Sequence, residues 1–404
     1  MTKNTRARPT DVVFLSGVRT PFGTFGGALR EISAVDLSVI AAKAALERSQ
    51  VDASEIDHVI FGNVIQSTAD TVYFARHVAL KSGCRMETPA LTVNRLCGSG
   101  FQAVVNGAQE ILLGDAEVCL VGGGESMSTV PHVVRGIRWG LQLGKSPPLE
   151  DSLWEGLTDS YACMSMGETA EKLGAQYELD RDRVDAFALR SQQLAKSAWD
   201  EGVFKDEVVA VAVKNPKTRK LEEVTRDEHM RPDSTAEGLA RLKPVFRENG
   251  LVTAGNASGI GDGAAALVIS SAEFATRKGL TPMARLVSWG VAGVDPTIMG
   301  IGPVPAARIA LEKAGMSLDD MDLIEVNEAF AAQTVAVELE LGIPREKLNV
   351  HGGAIALSHP LGASGARITT HLLHALRAQG KRYGLGSACI GGGQGIAVIV
   401  EAMN

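Results

Sequence analysis

Cys97 stands in Asn94-Arg95-Leu96-Cys97-Gly98-Ser99-Gly100, where a strand-like stretch gives way to a helical pattern. A thiol at a helix start faces unpaired N–H groups and the positive end of the macrodipole, and both favour thiolate over thiol. Gly98 and Gly100 permit a tight turn and the close approach of a substrate backbone or thioester. A small buried cysteine is the commoner role for this side chain, so both readings stay open. His359 lies in Gly352-Gly353-Ala354-Ile355-Ala356-Leu357-Ser358-His359-Pro360-Leu361-Gly362-Ala363-Ser364-Gly365. Pro360 fixes the backbone directly after it and holds the imidazole at a loop end before a helix. Such a histidine suits a general base or a donor to an oxyanion, although a single His before Pro says little alone. Cys389 opens Cys389-Ile390-Gly391-Gly392-Gly393-Gln394-Gly395, whose N–H groups can converge on developing negative charge. Asn327 and Glu328 end a buried strand pattern, and there they are either strand-end caps or site groups. Val121-Gly122-Gly123-Gly124-Glu125-Ser126 lacks the GxGxxG spacing of a dinucleotide site and is expected to be a tight turn.

The elements that position these residues repeat. Residues 41–48, AAKAALER, resemble 306–313, AARIALEK, and each leads through a polar turn to an Asp, Asp57 or Asp322, that opens a β-like run. At the same offset of 265 positions Gly98-Ser99-Gly100 falls on Ala363-Ser364-Gly365, and each triplet opens a helical pattern. Each half also closes with a glycine-rich turn feeding a strand, Gly261 to Ile269 and Gly391 to Val400. Residues 100–113 place Phe101, Val104, Val105, Ala108, Ile111 and Leu112 on one helical stripe, Gly114 stops it, and Val118-Cys119-Leu120-Val121 follows as a buried strand. Strand–helix alternation of this kind gives α/β layers, with two unrelated α/β domains as the alternative.

Between the halves, roughly 131–249, the character changes. An amphipathic helix near 181–201 precedes a charged stretch from Lys214 to Arg247 that includes Lys217 and Arg231. It is either an insertion from the first unit, forming a lid or ligand-binding loop domain, or a solvated face.

With 404 residues, 45% of them apolar and 22% charged, the chain can bury more than one core and is not disordered. A net charge of −7 supplies no basic field for a phosphate backbone, so nucleic acid is not expected as a partner. The five cysteines include no CxxC pair, which excludes a disulfide framework or zinc site and fits a reducing compartment. No apolar run approaches the ~20 residues of a membrane span. The basic start lacks the apolar segment of a secretory signal, and a cytoplasmic protein is expected.

Taken together, NRLCGSG around Cys97, GNASG at Gly255–Gly259, NEAFA at Asn327–Ala331, GGAIALSHPLGASG around His359 and CIGGGQG from Cys389 resemble the thiolases, nearly end to end. LEDSLW, VTAGNASG and IMGIGPVP look closest to the mitochondrial type of 3-ketoacyl-CoA thiolase. The resemblance implies an α/β chain with the duplicated five-layer αβαβα fold and an inserted loop domain. Residues 1–130 plus 250–280 would form the N-terminal half, 131–249 the loop domain and 281–404 the C-terminal half. It further implies that Cys97 carries the acyl group and that His359 takes its proton and helps to bind the first thioester oxygen. Asn327 would orient a water in that oxyanion hole, Cys389 would act as acid/base at the α-carbon, and the N–H groups of Cys97 and Gly391 would form a second hole. Ser258 and Leu157 would meet the pantetheine arm and Arg231 the nucleotide end of coenzyme A, which is a substrate; no metal and no tightly bound cofactor are implied. Acyl-CoA partners, a role in fatty-acid metabolism and β-oxidation, and a homodimer or homotetramer complete the implied picture.

Three positions depart from the pattern. Ser165 stands where short-chain biosynthetic thiolases carry His, Ser358 replaces the usual Gly before His359, and His351 replaces a usual Asn. The first favours a broad 3-ketoacyl-CoA thiolase, also acting on acetoacetyl-CoA, over a dedicated biosynthetic acetoacetyl-CoA thiolase. A decarboxylating ketosynthase would carry His or Asn where Cys389 stands. A non-catalytic acyl-CoA-binding subunit would not need Cys97, His359 and Cys389 together.

Overall fold

A computed structural model describes residues 8, 10–215 and 218–403. Residues 1–7 of the basic start, and Lys217, lie outside the described residues.

Nine strands set the frame: β1 (Val12–Arg19), β2 (His58–Gly62), β3 (Ala90–Val93), β4 (Val118–Ser126), β5 (Gly261–Ser271), β6 (Ala284–Gly293), β7 (Leu323–Val326), β8 (Tyr383–Ile390) and β9 (Gln394–Ala402). Their spatial order is β7-β8-β9-β6-β1-β5-β4-β2-β3, with the short Gly23–Thr24 strand beside β5. β1 and β6 join through only Val13–Arg285 and Phe14–Ala284. Outward from that junction the order repeats: β1, β5, β4, β2, β3 on one side and β6, β9, β8, β7 and a single bridge at Leu348 on the other. The predicted duplication is therefore present. The repeated aspartates have a backbone task in it. Asp57 accepts from the N–H groups of Glu117 and Val118 that lead into β4, and Asp322 from those of Arg382 and Tyr383 that lead into β8.

Side chains alternate across the strands and build layers. Val13 and Leu15 of β1 face one core with α1 (Ala34–Ser49) and α2 (Phe74–Lys81), whereas Val12 and Phe14 face another. That second core holds α3 (Ser99–Leu113) and receives Ile396, Val398 and Val400 of β9 from the other half. Two helices of the segment between β4 and β5 follow, α4 (Met166–Gln176) and α5 (Arg181–Asp200). Beyond β6 come α6 (Pro303–Ala314), α7 (Ala331–Leu341) and α8 (Leu361–Ala378). α8 lies beside α3 in the middle, and α6 and α7 cover the far face with Ala397 and Ile399 of β9. The result is the expected five-layer arrangement.

α3 and α8 touch backbone to backbone. A Cβ on Gly100 would fall 2.4 Å from the Ala366 nitrogen, and one on Gly365 would fall 2.3 Å from the Phe101 nitrogen. Gly100 thus serves helix contact rather than the substrate approach expected from the sequence. Gly122, Gly123 and Gly124 likewise do not form a turn; they lie inside β4. A side chain on Gly123 would fall 1.9 Å from the Gly362 carbonyl, so the strand needs glycine to admit the start of α8.

The segment between β4 and β5 is fastened to the first half by charge. Buried Arg19 bonds Glu207 at 2.7 Å and Asp227 at 2.7 Å, and Asp227 also accepts from the Phe22 N–H. The described Lys and Arg residues of the 214–247 stretch are all exposed, so most of that stretch is a solvated face.

Candidate active site

β3 ends at Val93, and a short turn carries the chain into α3. Asn94 Oδ1 accepts the Leu96 N–H at 3.0 Å, and Leu96 has φ of +46°, a conformation L-residues seldom adopt. Ser99 locks the same turn, accepting from the Arg95 N–H and donating to the Leu96 carbonyl. Cys97 is thereby placed half-buried, its sulfur near its own N–H and that of Gly391, both of which favour the thiolate. These two donors fail to make a resting thiolate. Burial pushes the thiol up to about 11, against the pull of the Gly391 and Cys97 N–H groups and against the activation expected from the helix start. At neutral pH the residue is a thiol that must surrender its proton during attack.

His359 is the acceptor placed for that proton. Its N–H donates to the Gly259 carbonyl at 2.9 Å, and Pro360 caps α8 directly after it. Ser364 Oγ, one turn on, donates to the Pro360 carbonyl at 2.8 Å, which leaves it to accept from His359 Nδ1 at 2.5 Å. Nδ1 therefore carries the ring proton and Nε2 keeps its lone pair. Burial, then Arg367, hold the imidazole down at about 3, so it is neutral across the physiological range. Asn327 Nδ2 lies 3.3 Å from Nε2, and Asn327 Oδ1 is buried with no protein partner, able to accept from a water. Glu328 points elsewhere. It accepts from Ser191, Asn349 and the Ile355 N–H, bracing the segment that leads to His359.

Ser358 occupies φ 86°, ψ 166°, a region essentially reserved for glycine that costs of order 1–3 kcal/mol. Its hydroxyl partly compensates by donating to the Gly259 carbonyl at 3.0 Å. Ser358→Gly is accordingly expected to match or exceed the parent in chemical denaturation. Ser358→Ala keeps the strain, loses the bond and should cost about 1 kcal/mol. A less stable glycine variant would show that the strain is not there.

A cavity of about 250 Å³ opens at Cys97 and His359, walled by Met127, Trp154, Leu157, Ser165, Met166, Phe246, Ser258, Met299, Ala329, Phe330 and Leu361 among others. Cys389 is fully buried behind the wall formed by Met166, Met299, Ala329 and Phe330. Burial, then the neighbouring Cys97, push its thiol well above the usual range. Of the residues expected for coenzyme A, Leu157 and Ser258 are on this cavity, while exposed Arg231 lines a second one of about 190 Å³. Ala254 borders both. Ser165 is half-buried on the first wall and caps α4 in a reciprocal pair with Glu168. Among the described residues no cluster of His, Cys, Asp or Glu could hold a metal ion, and no helix is long and apolar enough to cross a membrane.

A neutral thiol, an imidazole lone pair, two backbone donors at the sulfur and a second buried thiol can transfer an acyl group and move a carbon-bound proton. Sequence reasoning missed Ser364, which sets the imidazole tautomer, and Glu125, which sits at the end of the glycine run set aside as a turn. A carboxylate directly after such a buried run was the signal available.

The chain matches the family model "Thiolase, N-terminal domain" over residues 12–273 and "Thiolase, C-terminal domain" over 280–402. It is 54% identical to the human protein named 3-ketoacyl-CoA thiolase, mitochondrial, over 391 residues, 97% of this chain and 98% of that one. It is 49% identical to beta-ketothiolase BktB of Cupriavidus necator over 394 residues, 97% of this chain and 99% of that one. The crystal structure of the human mitochondrial 3-ketoacyl-CoA thiolase in complex with CoA superposes with a TM-score of 0.95 at 53% identity, covering 99% of this chain and 100% of the other.

Proposed function

This chain belongs to the thiolase family, and from that premise we propose how its residues divide the reaction. The enzyme is an acetyl-CoA acyltransferase: it cleaves 3-ketoacyl-CoA with CoA to acetyl-CoA and a shortened acyl-CoA, and condenses acetyl-CoA to acetoacetyl-CoA. In cleavage, Cys97 gives its proton to His359 Nε2 as sulfur attacks the 3-keto carbon. The N–H groups of Cys97 and Gly391 receive the oxyanion. The bond to the α-carbon then breaks, its electron pair passes into an enolate held near His359 and Asn327, and Cys389 protonates that carbon. Coenzyme A next attacks the Cys97 thioester, Cys389 taking the thiol proton and His359 returning its proton to the Cys97 sulfur as it leaves. The observation that supports this scheme is the placing of Cys97 and the unprotonated Nε2 of His359, met at rest only by a long 3.3 Å contact from Asn327 Nδ2, on one cavity with the Gly391 N–H beside the sulfur.

Coenzyme A is the substrate, with Leu157 and Ser258 along the pantetheine arm and Arg231 toward the nucleotide end. Their places on two adjoining cavities support this, as does the human relative solved with CoA. The proposed division is an N-terminal half of 1–130 plus 250–280, a loop domain of 131–249 and a C-terminal half of 281–404. A homodimer or dimer of dimers is proposed because β3 ends the sheet with Leu91 exposed beside exposed Met86, and an unpaired edge invites a second copy. Free cysteines support a reducing compartment, for which the cytoplasm is proposed.

A broad chain-length range is proposed from the apolar wall and Ser165. Each extra buried CH₂ contributes up to ~0.8 kcal/mol, so medium-chain 3-ketoacyl-CoA should be cleaved at least as efficiently as acetoacetyl-CoA. Ser165→His should crowd the wall and shift kcat/KM toward the short substrate, at about 1 kcal/mol of stability for the lost cap. A kcat/KM series over chain length, in both proteins, checks this. A parent inactive beyond four carbons sinks the broad range, and an unchanged profile in the variant removes Ser165 from it.

A further inference from the structure

We propose that Glu125 is a positioning residue whose single buried carboxylate ties the Cys97 turn to the His359 turn. It is the penultimate residue of β4 and fully buried. Oε1 accepts from Asn63 Nδ2 at 3.0 Å and the Ile65 N–H at 3.1 Å. Oε2 accepts from the Val64 N–H at 3.1 Å and the Gly362 N–H at 2.8 Å. Four donors on one carboxylate suit its ionised form, and charge-assisted bonds are the strong ones.

One oxygen, Oε2, serves both catalytic turns, while Oε1 anchors the Asn63–Ile65 segment. On one side Val64, held by Oε2, accepts through its carbonyl from Asn94 Nδ2 at 3.0 Å. Asn94 Oδ1 in turn holds the N–H of Leu96, whose positive φ sets the direction of Cys97. On the other side Gly362 follows His359 by three residues, at the first turn of α8. A Cβ on Gly362 would fall 2.7 Å from the Gly62 carbonyl and 3.0 Å from Oε2 itself, so only glycine lets the start of α8 come this close to the end of β2 and to the carboxylate. The strained Leu96 conformation persists because this chain of bonds over-determines it.

The carboxylate also acts by charge. It disfavours the Cys97 thiolate, which also interacts with the Cys389 thiol and shares its cavity with the neutral His359. Burial lifts Glu125 itself to about 7, opposed by the Ile65, Gly362 and Val64 N–H groups and assisted by Asp262. Where the carboxylate is ionised, at and above about pH 7, its charge near the sulfur favours the thiol and the neutral thioester over a free thiolate. That bias suits a nucleophile which gives its proton to His359 only as it attacks.

The inference rests on Cys97 as the acylated residue, a premise that peptide mapping of labelled parent protein tests separately. Two variants of the full chain test Glu125. Asn94→Ala, at an exposed residue, cuts the arm to Leu96 and should lower kcat about tenfold with KM and thermal midpoint nearly unchanged. Glu125→Gln should lower kcat by about 10²-fold through misplacement. It should also move the pH midpoint for iodoacetamide alkylation of Cys97 downward, because the opposing charge is gone. A purely structural residue would not lower that midpoint. The proposal is overturned by kcat within about twofold of the parent in Asn94→Ala, by kcat losses that merely track lost thermal stability, or by an alkylation midpoint that stays or rises in Glu125→Gln. If Glu125→Gln does not fold, kcat and the Cys97 alkylation rate in Asn94→Ala decide alone.

Discussion

Quenched during turnover with labelled acetyl-CoA, the protein is expected to carry its label on the Cys97 peptide, and Cys97→Ala is expected to lose cleavage and condensation alike by on the order of 10⁴–10⁶. The expectation follows from what surrounds the sulfur. Its own N–H and that of Gly391 lie close enough to favour its thiolate, so a thioester oxygen beside it would have donors of the kind an oxyanion needs. His359 Nε2 is the unprotonated ring nitrogen because Ser364 occupies the other as acceptor, and it can take the proton by giving up its long 3.3 Å contact with Asn327 Nδ2. Because the thiol is held up at about 11, iodoacetamide alkylation of the free enzyme should climb through alkaline pH, with a midpoint above the ~8.5 of an ordinary cysteine. A label found on Cys389 alone would overturn the assignment.

The two halves and their order were legible in the sequence because the repeat is carried by hydrophobic periodicity and by Asp57 and Asp322, whose task is local to adjacent strands. The three reactive side chains were legible because each stands within two residues of glycine or proline near an element boundary. The protonation of Cys97 was not. It is decided by the apolar cavity wall, and Met166, Phe330 and Leu361 reach the sulfur only through the fold. The glycine run before Glu125 misled for the same reason: Gly123 answers to Gly362 of α8, Gly124 to Ser38 of α1 and Gly122 to Ala265 of β5, all distant in sequence. Ser358 showed as an unusual residue before His359, but its strain is a property of φ and ψ that no spacing reveals.

Cys389→Ser should separate the two half-reactions. Cys97 should still become acetylated from acetyl-CoA in a stoichiometric burst, because the nucleophile, His359 and both backbone donors remain. Condensation should fall by about 10²–10⁴, the usual cost of removing a general acid–base group. The residue is fully buried against Met299, Ala329 and Phe330, and burial with Cys97 nearby keeps it protonated at rest. A protonated thiol is the form needed to return a proton to the α-carbon during cleavage. For condensation it must first lose that proton, and an acceptor becomes available only when coenzyme A leaves as thiolate from the acetylated Cys97. The order of steps is thereby built in: acylation discharges the leaving thiolate, Cys389 gives up its proton to it, and the resulting base meets the second acetyl-CoA. A serine hydroxyl cannot follow, since its proton is held far more tightly than that of a thiol. Near-normal condensation in Cys389→Ser, with Cys97 acetylated as in the parent, would exclude Cys389 from the carbon-bound proton transfer.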